Sequence, residues 1–190
     1  MRIFWMLVFA AMMGYVAWWL IESIRKRIVF EVEMALGVSS LWAAIFVPML
    51  FDLPDLLPWP TALSLAGYAL LWLGIGLFVV TILSLRRGGK PTSGWEDTTE
   101  LTTSGIHGLV RHPMQLSGIL GACGTAVWQP ALIVLVLSTV SATCFALAAR
   151  AEDQFNVVKF GEPYRIYIEQ VPGLNLLASI WARLRPRKEL

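Results

Sequence analysis

The stretch "TALSLAGYALLWLGIGLFVVTILSL", residues 61–85, holds no charged side chain. About 20 apolar residues in a helix cross the roughly 30 Å hydrocarbon core of a bilayer, so this run predicts a spanning helix. Four further apolar runs flank it, at residues 3–22, 30–50, 109–128 and 130–149. Composition points the same way: 57% of the residues are hydrophobic, 15% are charged and the mean hydropathy is +0.66, values that exclude an ordinary soluble domain. The sequence therefore reads as an all-α integral membrane protein of about five transmembrane helices. Trp18, Trp19, Trp59, Trp95 and Trp128 stand near segment ends, where amphipathic rings favour the interface. The net charge of +2 gives no case for a nucleic-acid partner, because the basic residues fall in short juxtamembrane groups.

Those groups predict orientation. Arg25, Lys26 and Arg27 follow the first run, Arg86, Arg87 and Lys90 the third, and Arg150, Lys159, Arg165, Arg183, Arg185, Arg187 and Lys188 the fifth. The opposite connections, residues 51–60 and the turn at Gln129 and Pro130, carry no lysine or arginine. By the positive-inside rule the amino terminus lies outside and the carboxyl terminus in the cytoplasm, with the polar segments 86–113 and 150–190 on the cytoplasmic side. The first run is full length and is followed by "RKR", so it reads as a spanning helix and not as a signal peptide.

Most of the remaining polar and small residues read as structural. Cys123 and Cys144 differ in depth by roughly 12 Å at 1.5 Å per residue, too far for a disulfide, and are expected as small buried residues. His107 and His112 are the only histidines, and no ligand spacing suggests a metal. Gly118, Gly121, Ala122, Gly124, Thr125 and Ala126, with Gly67, Gly74 and Gly76, have the spacing of close helix contacts in lipid. Glu22, Glu31 and Glu33 are expected as solvated partners of Arg25, Lys26 and Arg27.

"GLVRHPMQLSG", residues 108–118, is less easily explained. Pro113 suits the first turn of a helix, and Arg111 could be an interfacial anchor. Alternatively, Arg111 and His112 beside the free N–H groups of a helix start would form a cationic pocket for a carboxylate or phosphate. The second reading gains weight from Glu152 and Asp153, since helices four and five are joined by almost no loop and must be antiparallel neighbours. Beyond the acids, Phe155, Val158, Phe160, Tyr164 and Tyr167 alternate with charges. Gly161 is expected to end helix five, and residues 163–169 to fold back over the site as an amphipathic cap.

The elements "TTSGIHGLVRHPMQLSG" (102–118), the acidic pair about 40 residues later and "FGEPYRIYIEQVP" (160–172) together resemble the membrane superfamily of isoprenylcysteine carboxyl methyltransferases and phospholipid N-methyltransferases. The first three apolar runs make a three-helix membrane region over 1–87, and the resemblance, which covers roughly residues 88–175, implies a cofactor-binding region over 88–190. It implies S-adenosylmethionine bound on the cytoplasmic side and a lipophilic acceptor entering from the membrane. The cofactor contacts it implies are Thr99, Glu100, Leu101, Thr102, His107, His112, Pro113, Met114, Gln115 and Glu152. His107 and Gln115 stand where the family commonly has tyrosines. Ala148 stands where the eukaryotic prenylcysteine enzymes have an arginine, so that substrate is not inherited. Arg150, two residues on, and His107 are the catalytic candidates, His107 as a base for an amine acceptor. The alternatives are a nicotinamide-dependent membrane reductase of related fold and a non-catalytic membrane adaptor.

Overall fold

The computed structural model describes residues 1–51, 53–56, 59–90, 98–176 and 181. Trp95 and the basic residues 183–188, used above for interface and orientation, lie outside the described residues. The described chain forms helices α1 (Arg2–Lys26), α2 (Val29–Leu50), α3 (Thr61–Gly88), α4 (Pro113–Trp128), α5 (Leu132–Phe160) and α6 (Glu162–Gln170), with a 3-10 turn at Gly105–Gly108. The first five run alternately up and down, with α3 packed on α4, α2 on α5, α4 on α5 and α1 on α2. Arg25, Lys26, Arg86, Arg87 and Lys90 gather at one end of the bundle, called here the basic end. At the opposite end the link before α3 is fastened by the Trp59 Nε1 donation to the Val127 carbonyl at 2.8 Å.

Four of the helices, α1, α2, α3 and α5, are long and apolar enough to cross a membrane. The expected fourth span, residues 109–128, is shorter in fact: α4 has 16 residues, about 24 Å at 1.5 Å per residue. Its first four expected positions are drawn out of the helix. Leu109 and Val110 close the 3-10 turn by donating to the Ile106 carbonyl, while Arg111 and His112 donate their backbone N–H groups to Pro172 and Gly173, each at 3.0 Å.

Because α4 is short and its neighbours are long, its start is recessed. It aligns with α3 through Gly67, where an added Cβ would lie 2.3 Å from the Trp128 nitrogen, and Gly124, where it would lie 2.5 Å from the Leu71 nitrogen. In lipid, where no hydrophobic force drives helices together, such backbone approach is what van der Waals attraction requires. Gly76 differs from the expected packing role, having nothing within 4 Å of a would-be Cβ. Past the start of α4, α3 continues to Gly88 and α5 continues through Arg150–Phe160, so the gap between them forms a recess at the basic end.

Two other expectations change. Both cysteines are free, but Cys123 is exposed and Cys144 half-buried, because glycine, alanine and threonine fill the packed faces of α4. Glu22 does pair with Arg25 at 3.0 Å, whereas Glu31 is buried between α1 and α2 and accepts from Ser23 Oγ at 2.8 Å. At the other edge of α2, Glu33 Oε2 is buried with no hydrogen-bond partner among the described residues.

Candidate functional site

The recess is walled by Phe30 and Met34 from α2, Thr81 and Leu85 from α3, and Pro113, Met114 and Gln115 from the first turn of α4. Glu152, Phe155, Asn156 and Phe160 line it from α5, and Tyr164 and Tyr167 from α6. Thr98, Glu100, Leu101, Thr102, His107 and Arg111 complete it from the segment between α3 and α4. That segment crosses the end of α3, with the N–H groups of Thr99 and Glu100 donating to the Gly89 carbonyl at 3.0 and 3.3 Å.

The roof is α6. Gly161, at φ 67°, occupies the left-handed region that side chains avoid, and there the chain leaves α5 and reverses. Tyr164 and Tyr167, three residues apart, are buried on the underside of α6, whereas Glu162, Arg165, Ile166 and Glu169 are exposed. Tyr167 donates its hydroxyl to the His107 carbonyl at 2.5 Å, and Tyr164 donates to Asp153 Oδ1 at 2.8 Å.

Arg111 ties this roof to the bundle. Its Nε and Nη2 donate to the two oxygens of Asp153 at 3.2 and 2.9 Å, a bidentate pair, while Nη1 donates to the carbonyls of Ile168 and Val171. His112 lies between the two acids, with Nδ1 3.2 Å from Glu152 Oε2 and Nε2 2.8 Å from Asp153 Oδ1. Burial alone would lower its pKa, but the hydrogen bonds to Asp153 and Glu152 and their charges outweigh that and hold it up at about 9. The expected cationic pocket therefore does not form: both cations are spent on the acids and the cap, and of the two acids they hold, Glu152 is the one that lines the cavity. Gln115 Nε2 also donates to Glu152 Oε2, and among the described residues Oε1 has no hydrogen-bond partner.

His107 differs in charge. It is buried on the 3-10 turn with Nδ1 3.1 Å from Ser84 Oγ. Burial first, then the repulsion of His112, outweighs attraction to Glu152 and lowers its pKa to about 4, so it is neutral at pH 7. Such a group binds a proton too weakly to be a good base at neutral pH.

Of the positions singled out in the sequence, Glu100, Leu101, Thr102, His107, Pro113, Met114, Gln115 and Glu152 come together in the wall. Thr99 does not, since its hydroxyl turns to the Lys90 carbonyl and Thr98 lines the cavity instead. His112 is buried behind the wall. Arg150 is exposed and absent from the wall, because two residues along a helix is a rotation of about 200° away from Glu152. Sequence reasoning missed Phe30, Met34, Thr81 and Leu85 as wall residues, for within apolar spans they look like any core or lipid-facing position. Asn156 had a findable signal: it lies one turn after Glu152 on the same face.

No curated protein and no solved structure matches the chain. The sequence profile of the phospholipid methyltransferase family matches residues 63–162, from the first turn of α3 to the first residue of α6. The match covers more than half of the 190 residues and contains His112, Gln115, Glu152 and Asp153, so the chain belongs to the phospholipid methyltransferase family.

Proposed function

We propose that the chain is an S-adenosylmethionine-dependent methyltransferase of the cytoplasmic membrane face that acts on a lipophilic acceptor reaching the recess from the bilayer. The observation that carries this reading is Glu152, a carboxylate in the wall of a largely apolar and aromatic cavity with one oxygen that has no hydrogen-bond partner among the described residues. The donor set suits the cofactor. Glu152 would meet its cationic part, Phe155, Phe160 and Met114 its flat and apolar parts, and Thr102 Oγ1, buried in the wall with no hydrogen-bond partner among the described residues, has an unmet bond to offer. When bound, the cofactor supplies a methyl group on a sulfonium, which transfers by in-line displacement.

The chain's own work is then alignment and exclusion of water. Phe30 and Met34 give an acceptor's apolar part a surface continuous with α2, and the α6 roof closes the polar side. Neutral His107 offers its remaining ring nitrogen as a hydrogen-bond partner, so an amine acceptor has to arrive uncharged or release its proton to water. Calorimetric titration of S-adenosylhomocysteine into the detergent-purified protein tests the reading, with Glu152→Gln expected to weaken binding at least about 10-fold, the scale of one charge-assisted contact. Absence of binding by the wild type overturns it.

A further inference from the structure

We propose that His112 is a positioning residue, a doubly protonated strut that fixes the orientation of Glu152 and couples it to the α6 cap, and not a ligand of the bound cofactor. The inference rests on reading the cavity as a cofactor site. His112 is buried, is absent from the cavity wall, and has both ring nitrogens directed at carboxylate oxygens. A carboxylate oxygen only accepts, so both nitrogens must donate, and the ring that satisfies this is the imidazolium. Neither nitrogen is left for a ligand.

The partners show what the strut does. Glu152 Oε2 accepts from His112 and from Gln115, which holds the carboxyl group from behind and leaves Oε1 for the cavity. Asp153 Oδ1 accepts from His112, from Arg111 Nε and from the Tyr164 hydroxyl of the cap, and the His112 backbone N–H donates to the Gly173 carbonyl. His112 is thus the side chain that bonds both to the cavity acid and to the acid that latches the cap. The ionisable groups around it are Glu152 and Asp153 on α5, Arg111 beside it, His107 on the 3-10 turn, and Tyr164 and Tyr167 on α6. His107 is already neutral at pH 7, so between pH 7 and 10 the group whose proton count governs this junction is His112 itself. Once it loses a proton, one ring lone pair faces a carboxylate at about 3 Å, and one acid must swing away.

The test compares wild type with His112→Gln, whose two N–H donors share one nitrogen and so cannot reproduce the imidazolium's donors on two separate ring nitrogens. S-adenosylhomocysteine affinity is measured by calorimetry from pH 6.5 to 10, and hydrogen-exchange protection of the α6 amides is followed over the same range without ligand. The variant is expected to bind about 10-fold more weakly at pH 7, the low end for a charge-assisted contact. Wild-type cap protection is expected to fall about 10-fold as pH rises through the His112 pKa of about 9, a step the variant lacks. Affinity in the variant within twofold of wild type, or a variant that keeps the wild-type step, overturns the proposal. If His112→Gln does not fold, flat cap protection in the wild type between pH 8 and 10 overturns it on its own. A wild type that binds no S-adenosylhomocysteine refutes the cofactor reading, whereas the strut is still read from the ligand-free cap.

Discussion

At the far end of the bundle, Gly67 and Gly124 let α3 and α4 meet backbone to backbone. At the basic end the same two helices are linked by polar side chains and loops, with Ser84 against His107 and the Arg111–Asp153–His112 group binding α4 to α5 and the cap. One end holds by shape, which neither salt nor protons affect. The other holds by charge in a partly dry place, where strength depends on every partner being present and ionised.

Substituting a glycine of the close seam gives the largest expected effect. Gly124→Ala puts a methyl group 2.5 Å from the Leu71 backbone nitrogen, which no rotamer change can relieve, and should cost about 3 kcal/mol. Gly76→Ala, with open space around it, should change thermal stability in detergent by less than about 0.5 kcal/mol. Equal effects at both positions would break the contrast, for the seam would then not depend on close approach.

At the charged end, Arg111→Ala removes the bidentate partner of Asp153 and two bonds to the cap. The expected loss is about 2 kcal/mol, short of the roughly 3–5 kcal/mol of a fully buried pair because Asp153 is partly exposed. Limited proteolysis should show the cap around 161–173 cut before the bundle. Protection of that segment equal to wild type would mean that Arg111 is not the latch.

The pH response separates the two ends further. Folded His112 keeps its proton up to about 9 against 6.5 for an ordinary histidine, so its stabilisation is complete below pH 6.5 and is lost as pH rises through 9. Folded His107 resists protonation until about 4, so stability also falls as pH drops from 6.5 towards 4. Stability against unfolding, measured across pH, should therefore be greatest near 6.5, and Gly124→Ala should lower the whole curve without moving its maximum. A maximum displaced by the glycine variant would show that the two ends are not independent.

Apart from the Gly76→Ala control, the smallest effect is expected from Lys90→Ala. Its ion pair with Glu100 is short, at 2.6 Å, but exposed on both sides, so stability should change by no more than about 1 kcal/mol. A larger loss in the same detergent measurement would mean that the crossing segment 98–102 is fixed by this pair and not by its backbone bonds to Gly89.

The same contrast explains what could be read from the sequence. Four of the five expected spans and the glycine seam follow from local composition and spacing, and the pairing of Arg111 and His112 with Glu152 and Asp153 follows from the short link between α4 and α5. What the pairing does was not readable. Whether Arg111 forms a pocket or is consumed depends on the carbonyls of Ile168 and Val171, nearly 60 residues away, and the start of α4 depends on Pro172 and Gly173. Arg150 has a suitable chemical type, but helical phase turns it to the exposed face of α5, away from the cavity wall. Glu31 looks solvated beside three basic residues, yet Ser23, one helix away, gives it a buried partner.

The recessed start of α4 bears on the energy of delivering a greasy substrate. Starting at Pro113 and not at residue 109 sets the floor of the cavity about 6 Å deeper along the helix axis. Lifting an acyl chain out of a bilayer costs about 0.8 kcal/mol for each methylene exposed to water. Over 6 Å an extended chain carries about five methylenes, so a floor at the higher level would cost an acyl-chain acceptor about 4 kcal/mol before any chemistry began. On the proposed reading, a short helix between two long ones would bring the reacting groups down to where such a molecule already sits.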